Sequence, residues 1–128
     1  MRPGGAVNDG LARLLEAVAA EMPPAEVEAV WAFPPVRREG REHGVAVVSR
    51  LLPDERRRVY RGRYAVGLGG AERGKVVLVE LESAAEGPAD LVPAVVDGVR
   101  RRADEAGDAE LVDLSDWKAA CGERSAVG

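Results

Sequence analysis

The sequence predicts an α+β fold, a two-layer sandwich in which an antiparallel sheet of four or five strands carries an N-terminal and a C-terminal helix on one face. Two observations predict this class. Apolar residues recur at helical spacing near both ends of the chain, whereas its middle alternates apolar and polar residues as strands do. The polar connections between the strands are short, which favours antiparallel pairing of consecutive strands.

The composition predicts one globular domain over residues 1–128. Of the 128 residues, 46% are hydrophobic, which is enough for a single core without disulfide or metal support. Residues 1–7 and 115–128 are expected to be flexible because small residues dominate both segments. The lone cysteine, Cys121, excludes an internal disulfide.

The apolar runs are far shorter than a membrane span of about 20 residues, and no secretory leader is recognisable at the start of the chain. We therefore expect a cytoplasmic protein that does not insert into a membrane. Heavy use of Arg, Ala and Gly gives the sequence a bacterial character.

A first helix is predicted to begin after Asn8 or Asp9, because either side chain can cap free backbone amides. The helix ends before Pro23 and Pro24, since proline lacks an amide hydrogen and disfavours helical angles in the preceding residue. Its predicted buried stripe consists of Leu11, Leu14, Leu15, Val18 and Met22.

Residues 27–33 fit either a strand or a helix. The strand is favoured because Trp31 and Phe33 then share one face and the segment stops at a proline pair. A polar connection is expected over residues 34–44. Three further strands are predicted, at residues 45–51, 57–68 and 75–82, and the last two flank a Gly-rich turn that is typical of a hairpin.

A second helix is predicted over residues 91–103, with Asp90 as its cap. Gly98 in its interior costs about 1 kcal/mol relative to Ala, so close packing against the sheet is expected there. Residues 110–114 are a candidate edge strand, which would be the fifth of the sheet. From Ser115 onward the chain is expected to be frayed.

Residues 69–75 match the spacing of a phosphate-binding loop, G-x-x-x-x-G-K. That chemistry requires a helix that begins at the lysine and a Ser or Thr that follows it. Here Val76 follows Lys75 and the segment has the pattern of a strand. The sequence therefore predicts a hairpin turn at this position.

No residue pattern predicts a cofactor, a metal ion or a catalytic centre. His43 is the only histidine, and one distant cysteine does not complete a set of metal ligands. Glu80 and Glu82 alternate outward from the predicted sheet, which favours solvated roles over acid–base catalysis. We therefore expect no cofactor, no bound metal and no catalytic residues.

The middle of the chain is basic although the whole chain has a net charge of −4. Residues 36–75 hold eleven Arg or Lys against five Asp or Glu. Such an asymmetry can indicate a surface for nucleic acid or another polyanion. The candidate binding residues are Arg37, Arg38, Arg41, Arg57, Arg61 and Arg63.

A charge ladder inside the sheet is the competing interpretation, and it is favoured. Tyr60 and Tyr64 alternate toward the core, so the outer face lacks the aromatic side chains on which bases stack. A turn centred between Ala71 and Glu72 would oppose arginines and glutamates, and such cross-strand pairs contribute roughly 0.2–1 kcal/mol each. The predicted opposed pairs are Arg63–Glu80, Arg61–Glu82, Tyr64–Val79 and Val66–Val77.

Three functions stay open at this point. The favoured one is a small non-catalytic domain that binds another protein or forms a homodimer, because the outer sheet face mixes apolar residues with Arg and Glu. The first alternative is nucleic-acid or polyanion binding by the basic region, residues 37–63. The second is a small enzyme with a pocket between the first helix and the sheet.

Overall fold

The computed structural model describes residues 8–102 and 107–127. Its helices are α1 (Asp9–Glu21), α2 (Leu91–Arg102) and α3 (Ser115–Val127), and its strands are β1 (Val27–Ala32), β2 (Val36–Arg38), β3 (Arg41–Leu51), β4 (Arg57–Gly67), β5 (Val76–Gly87) and β6 (Glu110–Leu111). Single 3-10 turns lie at Pro24–Glu26 and Gly70–Glu72. The predictions for residues 1–7 and for Ala103 fall outside the described residues.

The described strands form one antiparallel sheet in the order β5–β4–β3–β1–β6, and β2 pairs with β3. The α+β class with an antiparallel sheet is confirmed, and β1 confirms that the ambiguous segment after Pro24 is a strand. Two strands exceed their predicted lengths, since β3 begins at Arg41 and β5 continues to Gly87. β5 and β6 lie at the two ends of this strand order.

The inner face of the sheet, defined here as the face that carries Val48 and Tyr64, packs against α1 and α3. Asn8 begins α1 as predicted, because its side-chain oxygen accepts a hydrogen bond of 2.7 Å from the Leu11 amide. The whole predicted stripe of α1 is buried in this core, together with Val30, and Trp117 of α3 packs against the same cluster.

The outer face, which carries Val47 and Val59, packs against α2 and forms a second core with Val92 and Val99. The prediction that both helices share one face is therefore wrong in its placement of α2. The physical reason lies in β3, where residues 45–48 are apolar without alternation and both Val47 and Val48 are fully buried. A strand with two apolar faces requires cover on both sides.

The segment expected to be a polar connection, residues 34–44, forms a hairpin instead. β2 pairs with the start of β3 through a two-residue turn at Glu39 and Gly40, whose φ angles of 54° and 75° are both positive. Positive φ at both central residues gives a turn that matches the twist of the flanking strands. The turn chemistry was present in the sequence, but the strands beside it are polar.

The C-terminal region also differs from the prediction. A helix, α3, occupies Ser115–Val127, where frayed chain was expected. Asp113 precedes it, and its carboxylate accepts a hydrogen bond of 3.0 Å from the Ser115 amide.

Gly98 does not mark close packing, because a Cβ atom built there would meet nothing within 4 Å. The predicted edge strand is present, shortened to β6.

Candidate functional site

The predicted charge ladder lies on the outer face between β4 and β5. Arg61 is opposite Glu82 and Arg63 is opposite Glu80, as the hairpin register required. Arg61 contacts Glu82 at 2.5 Å, and Arg63 forms an ion pair with Glu80. The pair Tyr64–Val79 is confirmed as well, whereas Val66 is opposite Val76 because Val77 is an extra residue in β5.

Arg57 lies farther along β4 and binds a different strand. It contacts Glu28 at 2.9 Å, and this hydrogen bond lowers the pKa of the Glu28 carboxyl below its ordinary value. The hydroxyl of Ser49, which is fully buried, donates a second hydrogen bond of 3.4 Å to Glu28. Arg57 therefore links β4 to β1 across the intervening strand β3.

The remaining candidate arginines lie around the β2–β3 turn. Arg41 contacts Glu72 at 3.0 Å, and this contact lowers the pKa of the Glu72 carboxyl. Arg37 lies 3.6 Å from Glu42, but its side chain is 75% exposed. Within residues 8–102 and 107–127, Arg38 forms no ion pair. The six predicted residues thus divide into three groups by the partners of their side chains.

A feature that the sequence predictions missed is the free edge of the sheet, defined here as the side of β5 that faces away from β4. The Leu52 amide donates to the Arg56 carbonyl, and the Gly67 amide donates to the Lys75 carbonyl. The N–H and C=O groups of successive residues in an antiparallel strand point alternately to its two neighbours. In β4, the backbone groups of odd-numbered residues therefore point to β5 and those of even-numbered residues point to β3. In β5, the backbone groups of Glu80 and Glu82 therefore point to β4. Those of Val79, Leu81 and Ser83 point to the free edge.

Extra residues divide β5 into a central run and two ends. Val77 and Ala84 have no direct partner on β4, and between them Leu78 to Ser83 pair without interruption. Bulges bend a strand locally and change its twist. The regular run is thus six residues long, which is close to the common length of a whole strand.

A cleft of about 470 Å³ lies beside this run, between α2 and β5. Val95 and Val99 contribute apolar surface, and Arg61 and Arg102 contribute guanidinium groups. The other lining residues are Glu82 and four small residues, namely Ala94, Gly98, Ser83 and Ala84. Gly98, which packs against nothing, helps keep this cleft open.

Two other cavities contain polar groups of interest. One, of about 310 Å³, lies between α2 and Trp31, whose buried indole N–H has no hydrogen-bond partner among the described residues. Another, of about 150 Å³, lies at the start of α1 beside Asn8 and Tyr64. The rest of the contact between α1 and the sheet is filled by core side chains.

The segment with phosphate-loop spacing is a turn followed by a strand, as predicted. Gly74 has a positive φ of 75°, and Lys75 leads directly into β5. No helix begins there, so the described backbone lacks the free helical amides that would bind a phosphate.

Among the described side chains, no three His, Cys, Asp or Glu residues come together in a way that could hold a metal ion. In the same part of the chain, no helix is both long enough and apolar enough to span a membrane. His43, expected on a solvated connection, lies instead in β3 and is half-buried.

Comparison of the chain with protein-family models, with curated proteins and with solved structures finds no match. Its own geometry is therefore the basis of the functional proposal.

Proposed function

We propose that this protein is a protein-binding domain that accepts an extended segment of another protein as an additional strand along β5. The observation that carries the proposal is the free edge, where Val79, Leu81 and Ser83 direct backbone donors and acceptors away from the sheet. An exposed edge of this kind is a template for strand addition, in which backbone hydrogen bonds supply affinity and neighbouring pockets supply specificity.

The surroundings of the free edge support this mode of binding. β5 has no proline in its interior and no lysine between Val76 and Gly87, two residues that commonly protect edge strands. Its bulges, which also protect an edge, lie outside the run from Leu78 to Ser83. The cleft beneath α2 adjoins the edge at Ser83 and Ala84. A side chain of an added strand could enter that cleft, because the residues nearest the edge, Ser83 and Ala84, are small.

Pairing of β5 with a second copy is less favourable than pairing with a different chain. In an antiparallel pair of two identical strands, the registers centred at Glu80, Leu81 or Glu82 place glutamates directly opposite glutamates. Like charges directly opposite each other destabilise a sheet. A foreign segment avoids this repulsion where its residues opposite Glu80 and Glu82 are uncharged, and we therefore assign the edge to a different protein.

Polyanion binding has weaker support from the same structure. Five of the six candidate arginines form ion pairs with glutamates of this chain. A polyanion would have to displace these carboxylates or bind around them. Strand addition along β5 requires no such rearrangement.

The experiment selects peptides from a random display library on the full-length protein and then measures their binding to two variants. Ser83→Pro removes an N–H group that faces the free edge, whereas Ser83→Ala retains that group and changes the same exposed side chain. We expect the proline variant to weaken binding about tenfold or more and the alanine variant to bind nearly as wild type does.

Amide hydrogen exchange of the wild-type protein provides a second measurement that does not depend on a variant. Bound peptide should slow exchange of the amides of Val79, Leu81 and Ser83. Selected peptides that bind the proline variant as tightly as wild type, with no protection of these amides, would refute the proposal. A wild-type dimer that the proline variant dissociates would instead assign the edge to a second copy.

A further inference from the structure

The carboxylates of β5 form ion pairs, whereas several cations near the strand do not. Each carboxylate of the strand is bound by arginine: Glu80 by Arg63, Glu82 by Arg61, and Glu86 by Arg58 at 2.8 Å, with Arg56 at 3.9 Å. Three cations around the same strand, namely Arg73, Lys75 and Arg102, form no ion pair within the described residues. The unpaired charge along this edge is therefore positive.

These three cations lie at two positions along the edge. Arg73 and Lys75 are exposed and immediately precede β5, at the end where its first bulge lies. Arg102 is exposed at the end of α2 and lines the cleft together with Glu82 and Ser83. An extended chain that follows the regular run from Leu78 to Ser83 would pass between the two positions.

We infer that the segment added to β5 is acidic, with one carboxylate near Lys75 and a second near Arg102. This inference rests on the proposed function, since it specifies the chemistry of the partner at the same edge. The carboxylates of the segment would meet cations that form no ion pair within residues 8–102 and 107–127, although Lys75 is close enough to Glu72 to lower the pKa of that carboxyl. Basic side chains would meet only carboxylates that arginines already bind. The net charge of −4 does not oppose this choice, because charges farther away than about 8–10 Å are screened at physiological ionic strength.

The test uses the library-selected peptides whose binding Ser83→Pro weakens about tenfold or more. We expect these edge-dependent peptides to be enriched in Asp and Glu over the starting library. Lys75→Ala and Arg102→Ala should each weaken their binding about two- to fivefold at low salt, with a smaller effect at high salt, as for exposed ion pairs.

Arg38→Ala is the matched control. It removes one unpaired cation, as the two test substitutions do, but Arg38 lies on β2, and both β3 and β4 separate β2 from β5. The control should leave peptide affinity unchanged. Equal weakening by all three substitutions would indicate only a general effect of net charge and would overturn the inference.

The failure of this inference can be distinguished from failure of the proposed function. Edge-dependent peptides that are neutral or basic, and that bind the Lys75 and Arg102 variants as they bind wild type, would refute the acidic partner while strand addition stood. Peptides insensitive to Ser83→Pro would refute strand addition and the acidic partner together.

Discussion

The side-chain amide of Asn8 donates a hydrogen bond of 2.9 Å to the hydroxyl of Tyr64, 56 residues away in the chain. The oxygen of the same Asn8 side chain caps α1 through the Leu11 amide. One residue therefore both begins the first helix and attaches it to the middle of β4. Burial of Tyr64 in the inner core raises the pKa of its hydroxyl above the ordinary value.

Replacing Asn8 should weaken both contacts. We expect Asn8→Ala to lower the free energy of unfolding by about 1–2 kcal/mol, the usual cost of losing a helix cap together with part of a hydrogen bond. Urea denaturation followed by circular dichroism measures the change. Asn8→Asp keeps a capping oxygen but loses the donor to Tyr64, so it should cost less, and an equal loss for both variants would contradict the capping role.

The ring of Tyr64 lies between two glycines, one from α1 and one from β3. A Cβ atom built on Gly10 would lie 2.1 Å from the ring, and one built on Gly44 would lie 2.0 Å from it. Gly10→Ala and Gly44→Ala should therefore each destabilise the fold by about 1–3 kcal/mol or more, as overpacking does. Thermal denaturation provides the comparison with wild type.

Gly98→Ala provides the contrasting case for the same substitution. Beyond its own helix backbone and chain neighbours, nothing lies within 4 Å of a Cβ placed there, so the higher helix propensity of Ala should raise stability by up to about 1 kcal/mol. A Gly98 variant that is as unstable as the Gly44 variant would show that the space beside α2 is not open in solution.

The ladder pair Arg63 and Glu80 should show a small and salt-sensitive coupling. Both side chains are 47% exposed, and exposed pairs contribute about 0.2–1 kcal/mol. A double-mutant cycle with Arg63→Ala and Glu80→Ala, measured by urea unfolding at low and high salt, gives the coupling energy. A coupling that did not decrease with added salt would argue against an electrostatic origin.

Acid should weaken the ion pair between Arg57 of β4 and Glu28 of β1. The hydrogen bond from Arg57 lowers the pKa of Glu28 below its ordinary value of 4.5. A depressed folded-state pKa contributes stability that is present above 4.5 and is lost as the pH falls through the lowered value. Wild type should therefore lose more stability than Glu28→Gln across this range, as measured by melting temperature against pH. Parallel curves for the two proteins would contradict the assignment.

The sequence was sufficient to predict the ladder but not the faces of the sheet. A Gly-rich turn and strict alternation in β4 placed Arg61 opposite Glu82 correctly. The position of α2 depended on whether the apolar residues of β3 were covered on one side or on both. The apolar run in β3, which does not alternate, indicated that both faces of the sheet are covered. The short aliphatic residues of α2 do not by themselves indicate which face the helix covers.

Two further features had weak signals or none in the sequence. The α3 segment is rich in Ala and polar residues, so its pattern shows no clear apolar stripe. Trp117 packs against the inner core and Cys121 is buried. The free edge of β5 follows from strand order, which depends on contacts between β1, β3 and β6 that are distant in the chain. No local pattern in residues 76–87 states which side of the strand has a neighbour.

The two bulges of β5 have a consequence for how the chain can change in length. Val77 and Ala84 bracket the regular run, so the register of that run is set by its own pairing and not by the Gly-rich turn that precedes it. A residue deleted from residues 68–75 can be absorbed at the first bulge, by loss of its one extra residue. Glu80 and Glu82 would then stay on the outer face, and the alternation along the edge would survive a change of turn length that would invert an unbulged hairpin.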